Sequence, residues 1–359
     1  MKAWRAVENG RLELRDLPTP IPAPGGIVAR IEAAPVLSYL REVLDGSLAY
    51  DTPARPFTPG TNGVGVVEAV GPGVHHLTPG QRVALDPHLV ANERVAEPAQ
   101  ILIGLSAMPG GAAPKALQAA WPDGTLAETA HMPAAVATPL PASLDAVPAA
   151  KLAAIAKFAV PYGGLLRVNL QPGETIIVNG ASGYFGGGGA LLALALGAGK
   201  VVATGRDAKA LDDLADAAGP RLTPVVLTGD VAHDVDALKS AAGGGADCAL
   251  DLVGRTENAN AALAALRSLR RGGRLALMGG GVRQPLPLTT GEMLAQDWTV
   301  TGVFMYPRDV PARLARLIAS GQLDLGLIRE RAFPLDEIEA AMDAAAKMRS
   351  RDLTVLKMA

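Results

Sequence analysis

From Met1 to about Pro148 the apolar positions fall in short β-prone runs, among them Gly26-Ile27-Val28-Ala29-Arg30-Ile31 and Gly63 to Val70, each bounded by Pro and Gly turns. Such runs predict a barrel or sandwich of short strands. Between Asp86 and Gly124 the pattern lapses into Pro, Gly and Ala around one apolar run, Ile101 to Leu105, and reads as a long inserted lobe or loop.

After Pro148 the texture changes. Glu174 to Asn179 is a buried-strand run, Phe185 to Leu196 reads as a helix, and Lys200 to Thr204 is a second strand followed by a charged helix from Ala208 to Ala218. Pro224 to Leu227, Ala246 to Val253, Arg274 to Met278 and Trp298 to Phe304 continue the strands, with helical segments at Asp234 to Ala242 and Asn258 to Leu269. Strands alternating with helices at this spacing predict βαβ units and a doubly wound parallel sheet, so the expected class is α/β with a strand-rich companion domain. The tail from Val310 predicts two amphipathic helices and a final strand, Leu353 to Leu356. The boundaries expected are residues 1–150 for the strand-rich domain, completed by 307–359, and 151–306 for the α/β domain.

Length supports this division, because 359 residues exceed the size at which one core usually stops growing. Apolar residues at 49% and charged residues at 19% describe a compact chain rather than a disordered one. Lys and Arg total 33 against 35 for Asp and Glu, without a basic stripe, which argues against nucleic acid or an anionic membrane as a partner. The start, Met1-Lys2-Ala3-Trp4-Arg5, lacks the apolar stretch of a secretory signal, and Ala190 to Leu196 is too short to cross a bilayer. A cytoplasmic location is therefore expected. Cys248 is the only cysteine, which excludes an internal disulfide and any zinc site needing two thiolates.

The segment Val178-Asn179-Gly180-Ala181-Ser182-Gly183-Tyr184-Phe185-Gly186 leaves a strand and opens a helix. Glycines at 180, 183 and 186 let the backbone turn tightly and approach a pyrophosphate, whose charge is met by the helix N-terminus. A second strand ends about 20 residues further on, as a dinucleotide fingerprint requires. It ends in Thr204-Gly205-Arg206-Asp207. An acid there would serve the ribose hydroxyl of NAD, whereas an Arg meets the 2′-phosphate of NADP. Arg206, with Lys209 one turn later, points to NADPH, and Asp207 keeps NADH open.

With these residues in place the chain resembles the medium-chain dehydrogenases/reductases nearly end to end. The resemblance rests on Pro59-Gly60-Thr61-Asn62-Gly63-Val64-Gly65, Val70-Gly71-Pro72-Gly73-Val74, Pro79-Gly80-Gln81-Arg82-Val83, the Gly180 to Gly186 loop, and Asp251-Leu252-Val253-Gly254 before Gly272-Gly273-Arg274. It implies a GroES-like β-barrel catalytic domain interrupted by a Rossmann domain, with Val253 and Gly279 also at the cofactor. The departures concern the metal. Where zinc members carry Pro-Gly-His-Glu, this chain has Thr61 and Asn62, and Leu37 stands where a Cys ligand would fall. The four-Cys structural lobe is missing, and His75, His76, His88, His131 and His233 are scattered. The chain is thus similar to the zinc-free quinone oxidoreductase and enoyl reductase branch.

Without a Lewis acid, negative charge arising on the substrate must be met by hydrogen-bond donors or a proton. The resemblance places Tyr39 where zinc members hold the hydroxyl that touches substrate oxygen, and Lys157 and Tyr162 between the domains beside the nicotinamide. Asp86 and His88 offer either a proton relay or an Asp-Pro turn. No tyrosine is followed four residues later by lysine, which removes the short-chain dehydrogenase plan. The expected function is zinc-independent, NADPH-dependent hydride transfer to a carbonyl, quinone or activated alkene of a small molecule. The alternative is an NADPH-binding sensor or structural protein without turnover. The β-branched strand from Trp298 to Phe304 predicts an edge that a homodimer would pair.

Overall fold

A hairpin of β1 (Lys2–Ala6) and β2 (Leu12–Asp16) leads into β3 (Gly26–Pro35), α1 (Leu40–Leu44), β4 (Gly63–Val70) and β5 (Arg82–Leu85) in the computed structural model, which describes every residue except Glu93, Met108, Pro109 and Ala359. A lobe follows, made of β6 (His88–Val90), β7 (Gln100–Leu102), β8 (Ser106–Ala107) and α2 (Ala112–Ala120), and then β9 (Thr129–Pro133) and β10 (Ala137–Pro139). The lobe is where expectation and structure differ: β6, β7 and β8 pair antiparallel with His88 opposite Leu102, so the segment is a small sheet rather than irregular chain. Its strands of two or three residues are too short to show a period, but Ile101, Ile103 and Leu105 are all buried.

The second half begins with α3 (Ala149–Leu152) and α4 (Ile155–Arg167), then alternates β11 (Thr175–Asn179), α5 (Tyr184–Ala195), β12 (Lys200–Gly205), α6 (Ala208–Ala218), β13 (Leu222–Val226), α7 (Val231–Ala242) and β14 (Ala246–Asp251). It continues through β15 (Arg255–Thr256), α8 (Asn260–Arg267), β16 (Leu269–Leu277), β17 (Gly281–Val282), α9 (Thr290–Gln296) and β18 (Thr299–Gly302). Six strands form a parallel sheet in the order β13-β12-β11-β14-β16-β18. Alternate residues supply its two faces. Ile176, Val178, Val201 and Leu250 pack in one cluster with α4, α5 and α6, while Ile177, Val202, Ala249 and Leu275 pack with α7 and α8. The apolar run is consequently continuous, as expected for a strand covered on both faces.

The chain then returns to the first domain through α10 (Val310–Ala319), β19 (Arg329–Pro334), α11 (Ile338–Ala346) and β20 (Asp352–Lys357). Strand β20 pairs parallel with β19 and antiparallel with the Ala33–Pro35 end of β3, whereas the Gly26–Arg30 end of β3 pairs with β9. Sequence pattern missed β19, whose charged Arg329, Glu330 and Arg331 hide its period. It also overestimated the last Rossmann strand: β18 stops at Gly302, Val303 still donates its N–H to the Leu277 carbonyl at 2.9 Å, and the chain leaves the sheet after it. Residues 149–167 form an apolar helical stretch longer than Ala190 to Leu196 and long enough to cross a bilayer by length and composition, but 72% of it is buried in the protein core.

Candidate active site

The sheet order reverses between β11 and β14, and dinucleotides bind in the crevice at such a point, beyond the carboxyl ends of the strands. The loop after β11 is shaped by its glycines. Gly180 has φ +79°, a left-handed conformation, and a Cβ on Gly186 would lie 2.0 Å from the Gly180 carbonyl oxygen. Gly183 caps α5 without a side-chain bond, so the first-turn N–H groups of α5 are left for an anion. The further glycines of α5 are packing positions. A Cβ on Gly187 would sit 2.3 Å from the Ser350 carbonyl, and one on Gly188 would sit 3.0 Å from the Lys157 stem. Each glycine costs the helix about 1 kcal/mol relative to alanine, and this close approach to α4 and the C-terminal turn offsets it.

The cleft beside this loop has a volume of about 380 Å³ and is lined by Gly180, Ser182, Gly183, Gly205, Arg206 and Val253 among the residues expected there. Two others hold the loop instead of facing the cleft. Ala181 is buried and donates its N–H to the Thr204 carbonyl at 2.7 Å, and the buried Thr204 hydroxyl donates to Asn179 Oδ1 at 2.6 Å. Asn179 in turn donates to Asp251 Oδ1 at 3.0 Å, and burial raises the Asp251 carboxyl to about 6. The Gly186 backbone is buried behind the loop, Tyr184 and Phe185 pack their rings edge to face at 4.8 Å at the start of α5, and Lys209 is exposed on α6. Gly279 is held to the opposite wall, because a Cβ there would lie 1.9 Å from the Val253 carbonyl. Sequence reasoning missed the far rim, where Asp234 accepts from Thr228 and Gly229 and Asn260 donates to the Gly229 carbonyl.

At the end of β12, Arg206 is exposed, lines the cleft and has no ion pair among the described residues. Asp207 is committed elsewhere. Its Oδ1 caps α6 by accepting from Ala210 N at 3.1 Å, and its Oδ2 pairs with Arg349 at 3.2 Å.

The catalytic half brings Tyr39, at the start of α1, against Tyr50, with the rings stacked and their centroids 6.0 Å apart. Burial, then Tyr50, raises the Tyr39 hydroxyl far above its ordinary range, so it stays protonated. Leu37, Leu48 and Met305 surround the pair. Lys157 does not stand as expected. It is fully buried, its ammonium donates to the Tyr184 carbonyl at 2.5 Å and the Asp352 carbonyl at 3.3 Å, and it lies 3.9 Å from the Tyr184 ring centroid. With its donors so occupied it anchors α5 and the C-terminal strand rather than reaching an oxyanion, and burial lowers its affinity for a proton. Tyr162 is likewise buried in α4, beside Arg313. Asp86 does form the Asp-Pro turn, accepting the His88 N–H at 2.7 Å, and the His88 ring stands edge-on to Tyr306 at 6.1 Å, a neighbour no sequence pattern indicated.

Comparison with known proteins settles the family. Residues 23–142 match the model for the alcohol dehydrogenase GroES-like domain, and residues 186–320 match the model for a zinc-binding dehydrogenase. A Rhizobium meliloti (strain 1021) protein described as a D-xylulose reductase is 30% identical over 364 residues, covering 99% of this chain and 98% of its own. The chain belongs to the medium-chain dehydrogenase/reductase superfamily. Its fold is shared by the alcohol dehydrogenase TADH from Thermus sp. ATN1, at TM-score 0.81 and 23% identity with both chains fully covered. A Sinorhizobium meliloti 1021 protein described as a zinc-binding dehydrogenase and bound to NADP superposes at TM-score 0.78 and 22% identity, covering 99% and 98%. As a medium-chain dehydrogenase/reductase the protein is an oxidoreductase. It departs from the zinc-binding description in its donor set: by the resemblance Leu37 and Thr61 stand where the Cys and His ligands would fall and Asn62 where a Glu would follow, and no group of three His, Cys, Asp or Glu among the described residues could hold a metal. The residues present do not fit catalytic zinc.

Proposed function

We propose that this medium-chain dehydrogenase/reductase is a zinc-independent, NADPH-dependent reductase acting on a carbonyl, quinone or activated alkene of a small molecule. The observation that carries the cofactor preference is the pairing of an unengaged Arg206 at the cleft with an Asp207 whose two oxygens are already bound. The loop glycines and the open first turn of α5 would hold the pyrophosphate, and Arg206 with Lys209 would meet the 2′-phosphate. When bound, NADPH supplies the hydride. Tyr39, kept protonated by burial, offers a neutral donor to oxygen charge on the catalytic side. The aliphatic and aromatic surroundings of Tyr39 favour an apolar substrate, although the Rhizobium relative is named for a sugar.

The test is steady-state oxidation of NADPH and NADH by the purified protein against panels of quinones, enones, aldehydes and ketones, with and without a zinc chelator. Turnover favouring NADPH and indifferent to the chelator is expected. Tight NADPH binding with no turnover on any panel would return the protein to the role of a cofactor-binding sensor.

A further inference from the structure

The cleft beside the phosphate loop has a polar end that the phosphates leave unused. On the reading above, the Gly180 loop and the first turn of α5 take the pyrophosphate and Arg206 takes the 2′-phosphate. The base of the dinucleotide then falls to the stretch of cleft between the end of β13 and the start of α8, lined by Leu227, Thr228, Gly229, Asp234 and Asn260. These residues hold one another in place. The buried Asp234 carboxylate accepts the backbone N–H groups of Thr228 and Gly229 at 2.9 and 3.0 Å and the Thr228 hydroxyl at 2.8 Å. Asn260 donates its side-chain N–H to the Gly229 carbonyl at 2.8 Å, and its backbone N–H goes to Asn258 Oδ1 at 3.1 Å.

The bond to Gly229 fixes which way the Asn260 amide faces. A carbonyl oxygen only accepts, so the Asn260 nitrogen is the atom turned to Gly229, and a flipped amide would set two oxygens against each other. The Asn260 oxygen accepts no hydrogen bond among the described residues, and Asn260 lines the cleft. At the position left for the base, the cleft therefore presents an acceptor of fixed orientation together with the half-buried Leu227, which gives a flat ring apolar cover.

Resting on the dinucleotide reading above, we infer that Asn260 selects adenine as the base, its Oδ1 accepting a hydrogen bond from the exocyclic 6-amino group. Hypoxanthine carries a carbonyl oxygen at that position. It would set oxygen against Oδ1 and leave both unpaired, which is how a site built to accept an N–H rejects the analogue lacking it. Asp234 acts through Asn260 as a positioning residue, because its three donors fix the Thr228–Gly229 turn whose carbonyl orients the amide.

The test is equilibrium binding without substrate, by fluorescence titration of NADPH and of its hypoxanthine counterpart into wild type and Asn260→Ala, with thermal midpoints as the control for folding. Wild type should bind NADPH about five- to fiftyfold more tightly than the hypoxanthine form, as for one neutral hydrogen bond and its unpaired alternative. Asn260→Ala should weaken NADPH to the level of the hypoxanthine form and leave the latter within about twofold of its wild-type affinity. General loosening of the cleft would weaken both ligands alike and keep their ratio. A wild type that binds the two equally, or an Asn260→Ala that keeps the wild-type ratio, overturns this assignment alone. A wild type that binds neither overturns the dinucleotide reading, and this assignment with it.

Discussion

Asp207 and Arg349 pair at 3.2 Å across the junction between the Rossmann sheet and the C-terminal turn, and with Asp207 also capping α6 both of its carboxylate oxygens are engaged. The pair is half-exposed, so its worth lies in where it points the carboxylate rather than in stability.

Arg206→Ala should weaken NADPH binding by about 1.5–3 kcal/mol, the range of a charge-assisted bond to phosphate, and leave NADH nearly unchanged. Arg349→Ala should narrow the preference from the other side by releasing Asp207. Titration of both cofactors against each variant decides, and equal losses for NADPH and NADH in Arg206→Ala would remove the phosphate-reading role.

Tyr39→Phe should lower kcat with NADPH affinity intact, since a donor is needed most as oxygen charge develops; general acids and donors contribute about 10²–10⁴-fold. Single-turnover rates would show it. An unchanged rate makes Tyr39 a packing partner of Tyr50.

Two alanine substitutions in one loop should part company. Gly186→Ala brings Cβ to 2.0 Å from the Gly180 carbonyl, whereas Gly183→Ala meets the same atom at 3.3 Å. The first should cost about 1–3 kcal/mol of stability and displace the phosphate loop, the second much less. Urea midpoints and cofactor affinity measure both, and equal midpoints would contradict the packing described.

Lys157 ties a pH dependence to the core. Its proton affinity in the fold is lowered by burial below the ordinary lysine value of 10.5. Between the lowered value and 10.5 the unfolded chain binds a proton that the fold does not, so stability rises with pH across that window and the gain is complete above it. The melting temperature of wild type relative to Lys157→Met should therefore climb as pH is raised toward 10.5. Parallel pH profiles for the two proteins would show that Lys157 is not the source.

The outer edge of β18 has no strand beside it in the six-stranded sheet, and exposed Leu294 and Phe304 lie near it in sequence. We propose that a second copy pairs there about a twofold axis. Light scattering at micromolar concentration should give a dimer mass, and Val300→Pro, by removing a ladder donor, should give a folded monomer. A monomeric wild type would sink the idea.

The Rossmann half was legible because its signals are local: strands buried on both faces read as apolar runs, and Gly180, Gly183 and Gly186 are demanded by backbone geometry within one turn. The end of β12 was half legible. Arg206 and Asp207 adjoin in sequence, but Arg349, which pairs with Asp207, lies 142 positions away, where no spacing rule reaches. Lys157 was misjudged for a related reason, since a lysine in an apolar helix gives no sign of the carbonyls at Tyr184 and Asp352 that will occupy it. The meeting of Tyr306 with His88 was hidden because it joins the end of one domain to a turn in the other.

The seating of β20 along β3 also sets the order in which the molecule can be completed on the ribosome. The catalytic domain starts first, yet the Ala33–Pro35 edge of β3 lacks its neighbour until Val355 to Lys357 have emerged. The Rossmann half holds all six strands of its sheet between Thr175 and Gly302 and can close while synthesis continues. During that interval the barrel carries an open apolar seam, leaving the nascent chain prone to mispairing until Val355 to Lys357 have emerged.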